Sequence, residues 1–170
     1  MVVSAGGGVR WHSLVSYCVG NNYGGIENLS LIPGTVGASP IQNIGAYGQE
    51  LKDVFFSLKG ILTDSCEEVE FLKDDCKFEY RDSIFKNELK NKFVITSVSL
   101  KLNKSPKIVL DYGNVKTEIE KLNLSKITIK DVSVVISRIR ESKLPDPKVF
   151  GNAGSFFKNP RVDENLFFLL

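Results

Sequence analysis

His12 is the only histidine in the chain, and the three cysteines Cys18, Cys66 and Cys76 are odd in number with no CxxC spacing. A histidine-based triad or a multi-histidine metal site would have to be built around one residue, and neither a disulfide framework nor a zinc site is suggested. No metal is expected, and His12 reads as a half-exposed helix residue. Proton chemistry must fall to other groups, and three segments offer them. Residues 32–48 read IPGTVGASPIQNIGAYG, with many backbone amides unobstructed by large side chains; such amides can cradle a diphosphate without a cation, or form a plain glycine-rich turn region. It is neither a Rossmann fingerprint nor a P-loop. In EYRDS, Arg81 is either a structural ion pair with the adjacent Asp82 or a bidentate clamp for a carboxylate that gains negative charge in a transition state. In GNAGSFFKNP, glycines on the N-terminal side of Ser155 expose its hydroxyl. That hydroxyl is either an edge-strand serine beside Phe156 and Phe157 or a proton donor to a carbanion.

These segments need a scaffold. Trp11, Leu14, Val15, Cys18 and Val19 recur at spacings of three and four, which predicts a helix over 9–19 ended by Gly20 and Asn21. Residues 23–48 carry almost no charge, Glu27 being the only acidic residue and Lys and Arg being absent, as suits a segment packed under something. Short β-like alternations follow: Val54, Phe56 and Leu58; Val69 and Phe71; then Val94, Thr96, Val98, Leu100 and Leu102. Antiparallel strands with one wet face are expected, with a short helix or loop over 82–91. Val115, Ile119 and Leu122 predict one helix. Val132, Val135, Ile136 and Ile139 predict another, running from about Asp131 until Pro145 and Pro147 forbid it. The fold class is α+β, with a boundary at the Lys/Ser/Pro cluster of residues 104–107.

At 170 residues, with 22 Lys+Arg against 20 Asp+Glu and a net charge of +2, the chain is expected to bury a core and not to bind nucleic acid by a dense basic surface. Its apolar runs are too short to span a bilayer, so no membrane role is expected and a cytoplasmic location is.

Taken together and in order, ENLSLIPGTVGASPIQNIGAYG, YRDSIFK, IRESKLPDP and GNAGSFFKNP closely resemble the UDP-N-acetylenolpyruvoylglucosamine reductases, the MurB flavoenzymes of peptidoglycan synthesis. The resemblance covers roughly Gly7 to Pro160, and the tyrosine in LDYGNV resembles the subtype that carries a tyrosine loop over the substrate. The enzyme would be a monomer passing a hydride from NADPH through FAD to UDP-N-acetylglucosamine enolpyruvate, in cell-wall biogenesis and hence cell shape and division. Arg81 would stabilise the enolate and Ser155 would protonate the adjacent carbon. FAD would lie against Ile32, Pro33, Gly34, Thr35, Val36, Gly37, Ala38, Ile41, Asn43, Ile44, Gly45, Ala46 and Tyr47. Tyr112, Lys143 and Asn159 would hold the substrate diphosphate.

The resemblance further implies a partial FAD-binding domain over 1–104, part of a two-part domain with a mixed or antiparallel sheet and helices, then a smaller, partial α+β substrate-binding domain over 105–170. The family's N-terminal flavin subdomain and its late glutamate have no counterpart between MVVSAGGGVRW and the closing FFLL, and Glu164 does not take that acid's place. An incomplete version of the reductase is therefore expected. The alternatives are a non-catalytic nucleotide-binding fragment and, less well matched to YRDS, KLPDP and GSFFKNP, another flavin-dependent oxidoreductase.

Overall fold

The computed structural model describes residues 1–145, 149–151, 158–160, 162 and 167. Strand β1 (Val2–Gly6) leads through a glycine-rich turn into helix α1 (Trp11–Gly20). The predicted stripe is buried as Trp11, Leu14, Val15 and Cys18, and Asn22, in the left-handed region at φ +58°, follows the helix end. A two-residue hairpin pairs β2 (Gly45–Ala46) with β3 (Gln49–Glu50). The long strands β4 (Phe55–Leu62), β5 (Glu68–Leu72) and β6 (Phe93–Lys101) complete a sheet with β1, all antiparallel, in the order β1-β6-β4-β5. The β-branched residues of β6 suit this central position. Residues 82–91 contain only a 3-10 turn, Ile84–Lys86.

The simple alternation expected for β4 and β6 is broken twice. Phe55 pairs with Leu100 and Ser57 with Ser99, so Phe56 is an extra residue on β4; Lys59 pairs with Ser97 and Gly60 with Ile95, so Thr96 is extra on β6. Each bulge shifts the side-chain phase by one residue. Phe56 and Val94, expected on the buried face, are therefore 46% and 56% exposed, while Phe55 is buried and Phe93 and Ile95 pack against the core. Beyond the second bulge Val98, Leu100 and Leu102 do face inward.

The main core joins α1, the sheet and residues 26–54, with Trp11 Nε1 donating to Leu29 O at 2.9 Å within it. A fully buried Leu or Val there contributes about 1.5–3 kcal/mol over exposure. A second core forms between α2 (Val115–Glu120) and α3 (Ile129–Lys143) from Val115, Ile119, Val132, Val135, Ile136 and Ile139, with Tyr47, Ile108, Leu110 and Ile127 packed on it. Helix α3 starts on a capping box: Asp131 N–H donates to Thr128 Oγ1 and Thr128 N–H to Asp131 Oδ2. It ends where Leu144 turns extended before Pro145. Ser30 and Ser133 join their hydroxyls at 2.7 Å, tying α3 to the main unit.

Candidate active site

Residues 32–47 form a succession of turns laid over the β1–α1 connection. Gly37 N–H donates to Gly7 O at 2.9 Å, and a Cβ on Gly37 would stand 3.1 Å from Gly7 Cα and from Ile95 O beside the Thr96 bulge. The packing explains the low charge of the segment. Its amides are less free than the composition suggests: those of Val36, Gly37, Ala38, Ser39, Ile41, Asn43 and Ile44 already donate to backbone carbonyls. The amides of Gly34 and Thr35 have no acceptor among the described residues, and Gly34, at φ +107°, has open space where a Cβ would be. At the far end Asn28, 1% exposed, donates to Tyr47 O and Val109 O, and its Oδ1 is buried with no hydrogen-bond partner among the described residues. An uncharged, glycine-lined surface with spare amide donors and an unmatched buried acceptor fits a large cofactor carrying phosphate and amide-like groups.

The YRDS segment lies along this surface. Ser83 Oγ donates to Ile41 O at 2.8 Å, Asn43 Nδ2 to Glu79 O at 2.9 Å, and Arg81 Nη1 to Asn43 O at 3.4 Å; Arg81 Nη2 donates to Gly45 O. Arg81 is itself left-handed at φ +55°, and its guanidinium also rests 5.0 Å from the Tyr80 ring centroid. The side chain does not pair with Asp82, as one sequence reading allowed. Its acidic partner is Glu50, at 3.6 Å on β3. Asp82 is engaged elsewhere, its Oδ1 accepting from Ser83 N–H and Asn87 Nδ2, each at 2.9 Å, and its Oδ2 3.7 Å from Lys158 Nζ.

Through Lys158 the structure brings Asn159 to the same place. Glu79, Tyr80, Lys158, Asn159 and Pro160 line a cavity of about 320 Å³. Tyr112, 59% exposed, packs over Gly48, where an added Cβ would stand 3.3 Å from its own Cβ. Tyr47, left-handed at φ +49°, turns its side chain to α3, where burial raises its phenol pKa against the opposing pull of Arg140. Arg140 Nε also donates to Leu31 O, and Leu31 N–H donates to His12 Nδ1 at 3.0 Å, so His12 caps a strained residue at the entrance of the segment. Lys143 is exposed one turn beyond Arg140 on α3. Ser155 lies outside the described residues. Glu50, Arg140 and Lys158 were missed; the ELKD spacing of Glu50 and Asp53, a capping box, was the one signal that could have singled out Glu50.

Residues 1–75 match the family described as FAD binding domain. The UDP-N-acetylenolpyruvoylglucosamine reductase of Flavobacterium johnsoniae is 53% identical over 159 residues, covering 93% of this chain and 47% of that protein. The reductase of the same name from Pseudomonas aeruginosa is 50% identical over 163 residues, 96% of this chain and 48% of its own. The chain belongs to the UDP-N-acetylenolpyruvoylglucosamine reductase family. It spans about half the length of the curated relatives it matches. The crystal structure of UDP-N-acetylenolpyruvylglucosamine reductase (MurB) from Thermus caldophilus is similar in fold, with a TM-score of 0.67 and 24% identity, over 93% of this chain and 48% of that one. The α+β class read from the sequence agrees with this reductase fold.

Proposed function

We propose that this chain carries the cofactor cradle and part of the substrate site of a reductase that converts UDP-N-acetylglucosamine enolpyruvate to UDP-N-acetylmuramate in peptidoglycan synthesis. The observation that carries this reading is the seating of Arg81 on the carbonyls of Asn43 and Gly45, which puts a fixed cation beside the uncharged segment 32–47. FAD, when bound, supplies a carrier that accepts a hydride from NADPH and delivers it to the enolpyruvyl double bond. The segment Ile32–Tyr47 holds and orients that cofactor, with the amides of Gly34 and Thr35 as donors. Tyr112, Lys143 and Asn159 hold the substrate diphosphate, Lys143 as a point charge and the other two as neutral donors.

Hydride addition at the terminal carbon leaves an enolate conjugated to the carboxylate. Arg81 stabilises it: a charge-assisted hydrogen bond to a group that gains charge is worth about 1.5–3 kcal/mol. Ser155 then gives its hydroxyl proton to the adjacent carbon. The two separate cores support a division near residue 104 between a cofactor-binding part and a smaller substrate-binding part. The same reading makes the protein a cytoplasmic monomer that acts in cell shape and division through the wall. No helix among the described residues is long and apolar enough to cross a membrane.

The test is anaerobic. The FAD-loaded chain is reduced with NADPH and mixed with the enolpyruvyl nucleotide. The oxidised flavin absorbance is expected to return with formation of a nucleotide heavier by the hydrogens added across the double bond. A flavin that stays reduced, with the nucleotide unchanged, contradicts the proposal.

A further inference from the structure

Glu50 ends β3 across the hairpin from Gly45, with its side chain 20% exposed. Its two oxygens have different tasks. Oε1 faces Arg81 Nη1, whereas Oε2 accepts from Asn43 Nδ2 at 3.2 Å and lies 2.8 Å from Lys52 Nζ. Asn43 is fully buried, and its own Oδ1 accepts from Lys52 N–H at 3.0 Å, so the carboxylate is anchored on its far side to a rigid loop.

The donors of Arg81 divide accordingly. Nη1 is turned to Asn43 O and Glu50, and Nη2 gives one hydrogen to Gly45 O. The edge that carries Nε–H has no partner among the described residues, and with the second Nη2 hydrogen it forms the fork that matches a carboxylate. A lone acid at the back of an arginine would cancel the charge its front edge offers to an anion. Here Lys52 shares the same carboxylate, so two cations and one anion keep a net positive charge at the site.

Resting on the reductase reading above, we infer that Glu50 is the positioning residue of Arg81, holding the back edge of the guanidinium so that its Nε–H edge meets the substrate carboxylate as that group gains negative charge. Glu50 does not touch the substrate and acts through Arg81.

Two measurements test it. In the 170-residue chain carrying isotope-labelled arginine and no ligand, nuclear magnetic resonance reads rotation about the Nε–Cζ bond of Arg81. Glu50→Gln is expected to speed this rotation several-fold and Glu50→Asp to restore much of the restraint, with circular dichroism verifying that both variants fold. In the FAD-loaded protein, Glu50→Gln is expected to slow flavin reoxidation by saturating enolpyruvyl nucleotide about tenfold and to leave reduction by NADPH unchanged. Unaltered rotation in Glu50→Gln overturns the inference, as does faster rotation with unaltered reoxidation or equal slowing of both half-reactions. Absence of reoxidation in the unsubstituted protein overturns the reductase reading instead, and the rotation measurement still decides whether Glu50 holds Arg81.

Discussion

Arg81 Nη1 stands 2.6 Å from the position that a Cβ on Gly45 would occupy. Gln49 O and Glu50 Cγ are each 2.9 Å from that same point, so a methyl group cannot be admitted there without moving the hairpin, the arginine or both. Gly45→Ala is therefore expected to unseat the guanidinium and to cost about 1–3 kcal/mol of stability, the usual range for overpacking. Urea unfolding measures the second effect. A variant with unchanged stability and unchanged Arg81 resonances would show that the seat is looser than the structure has it.

Arg81→Lys keeps the charge and removes the planar fork that spans Asn43, Gly45 and the open edge. In the FAD-loaded protein, reoxidation by the enolpyruvyl nucleotide is expected to fall by about 100-fold, as for loss of a preorganised donor to a developing anion. Reduction by NADPH should stay near normal. Equal loss in both half-reactions, measured by stopped-flow absorbance, would remove Arg81 from its role.

The two buried thiols provide a pH test of the core. Burial pushes Cys18 up to about 11 and Cys76 up to about 12, the latter with help from the nearby Asp75 carboxylate, while Cys66 is exposed. At pH 8 a disulfide reagent should modify Cys66 alone until denaturant is added. Because both folded pKa values lie above the ordinary thiol value of 9.0, their contribution to stability is complete below pH 9 and is lost as pH rises toward 11 and 12. Thermal midpoints across pH 8 to 11 measured on Cys18→Ala should show a shallower alkaline decline, and an identical slope would refute the assignment.

How much of this was legible in the sequence depends on range. The stripe of α1 and the capped α3 are local, set by spacings of three and four and by Thr128 with Asp131, and both appear within two residues of the expected bounds. Strand phase was not legible, because the extra residues Phe56 and Thr96 are defined only by the strand opposite them. Likewise the partner of Arg81 was sought next to it, in Asp82, and lies 31 residues earlier in the chain on a two-residue strand that no alternation can announce. Residues 32–47 stood out by their glycines and low charge and were assigned to FAD through the resemblance, whereas the internal use of most of their amides follows from a turn geometry with left-handed Leu31, Asn43 and Tyr47 that composition does not encode.

At the other end of the scale, Asp131 has its carboxyl held below the usual range, first by the Thr128 hydroxyl and then by the Thr128 N–H. A depressed folded pKa stabilises above the unfolded value of 3.8 and is lost as pH falls through the folded one. Acid unfolding of α3 should thus steepen below about pH 4, and Asp131→Asn should flatten it while lowering neutral-pH stability by about 0.3–1 kcal/mol, the range for losing an exposed negative charge at a helix N-terminus. Circular dichroism at 222 nm against pH checks both, and a variant with the native acid profile would contradict the capping account.

The central claim, that residues 32–47 with Arg81 form a flavin cradle, is tested most directly by titrating the purified 170-residue chain with FAD and following flavin absorbance and fluorescence. The account predicts saturable binding at one FAD per chain, with a shifted visible band and altered emission. A free-flavin spectrum at every protein concentration would contradict it.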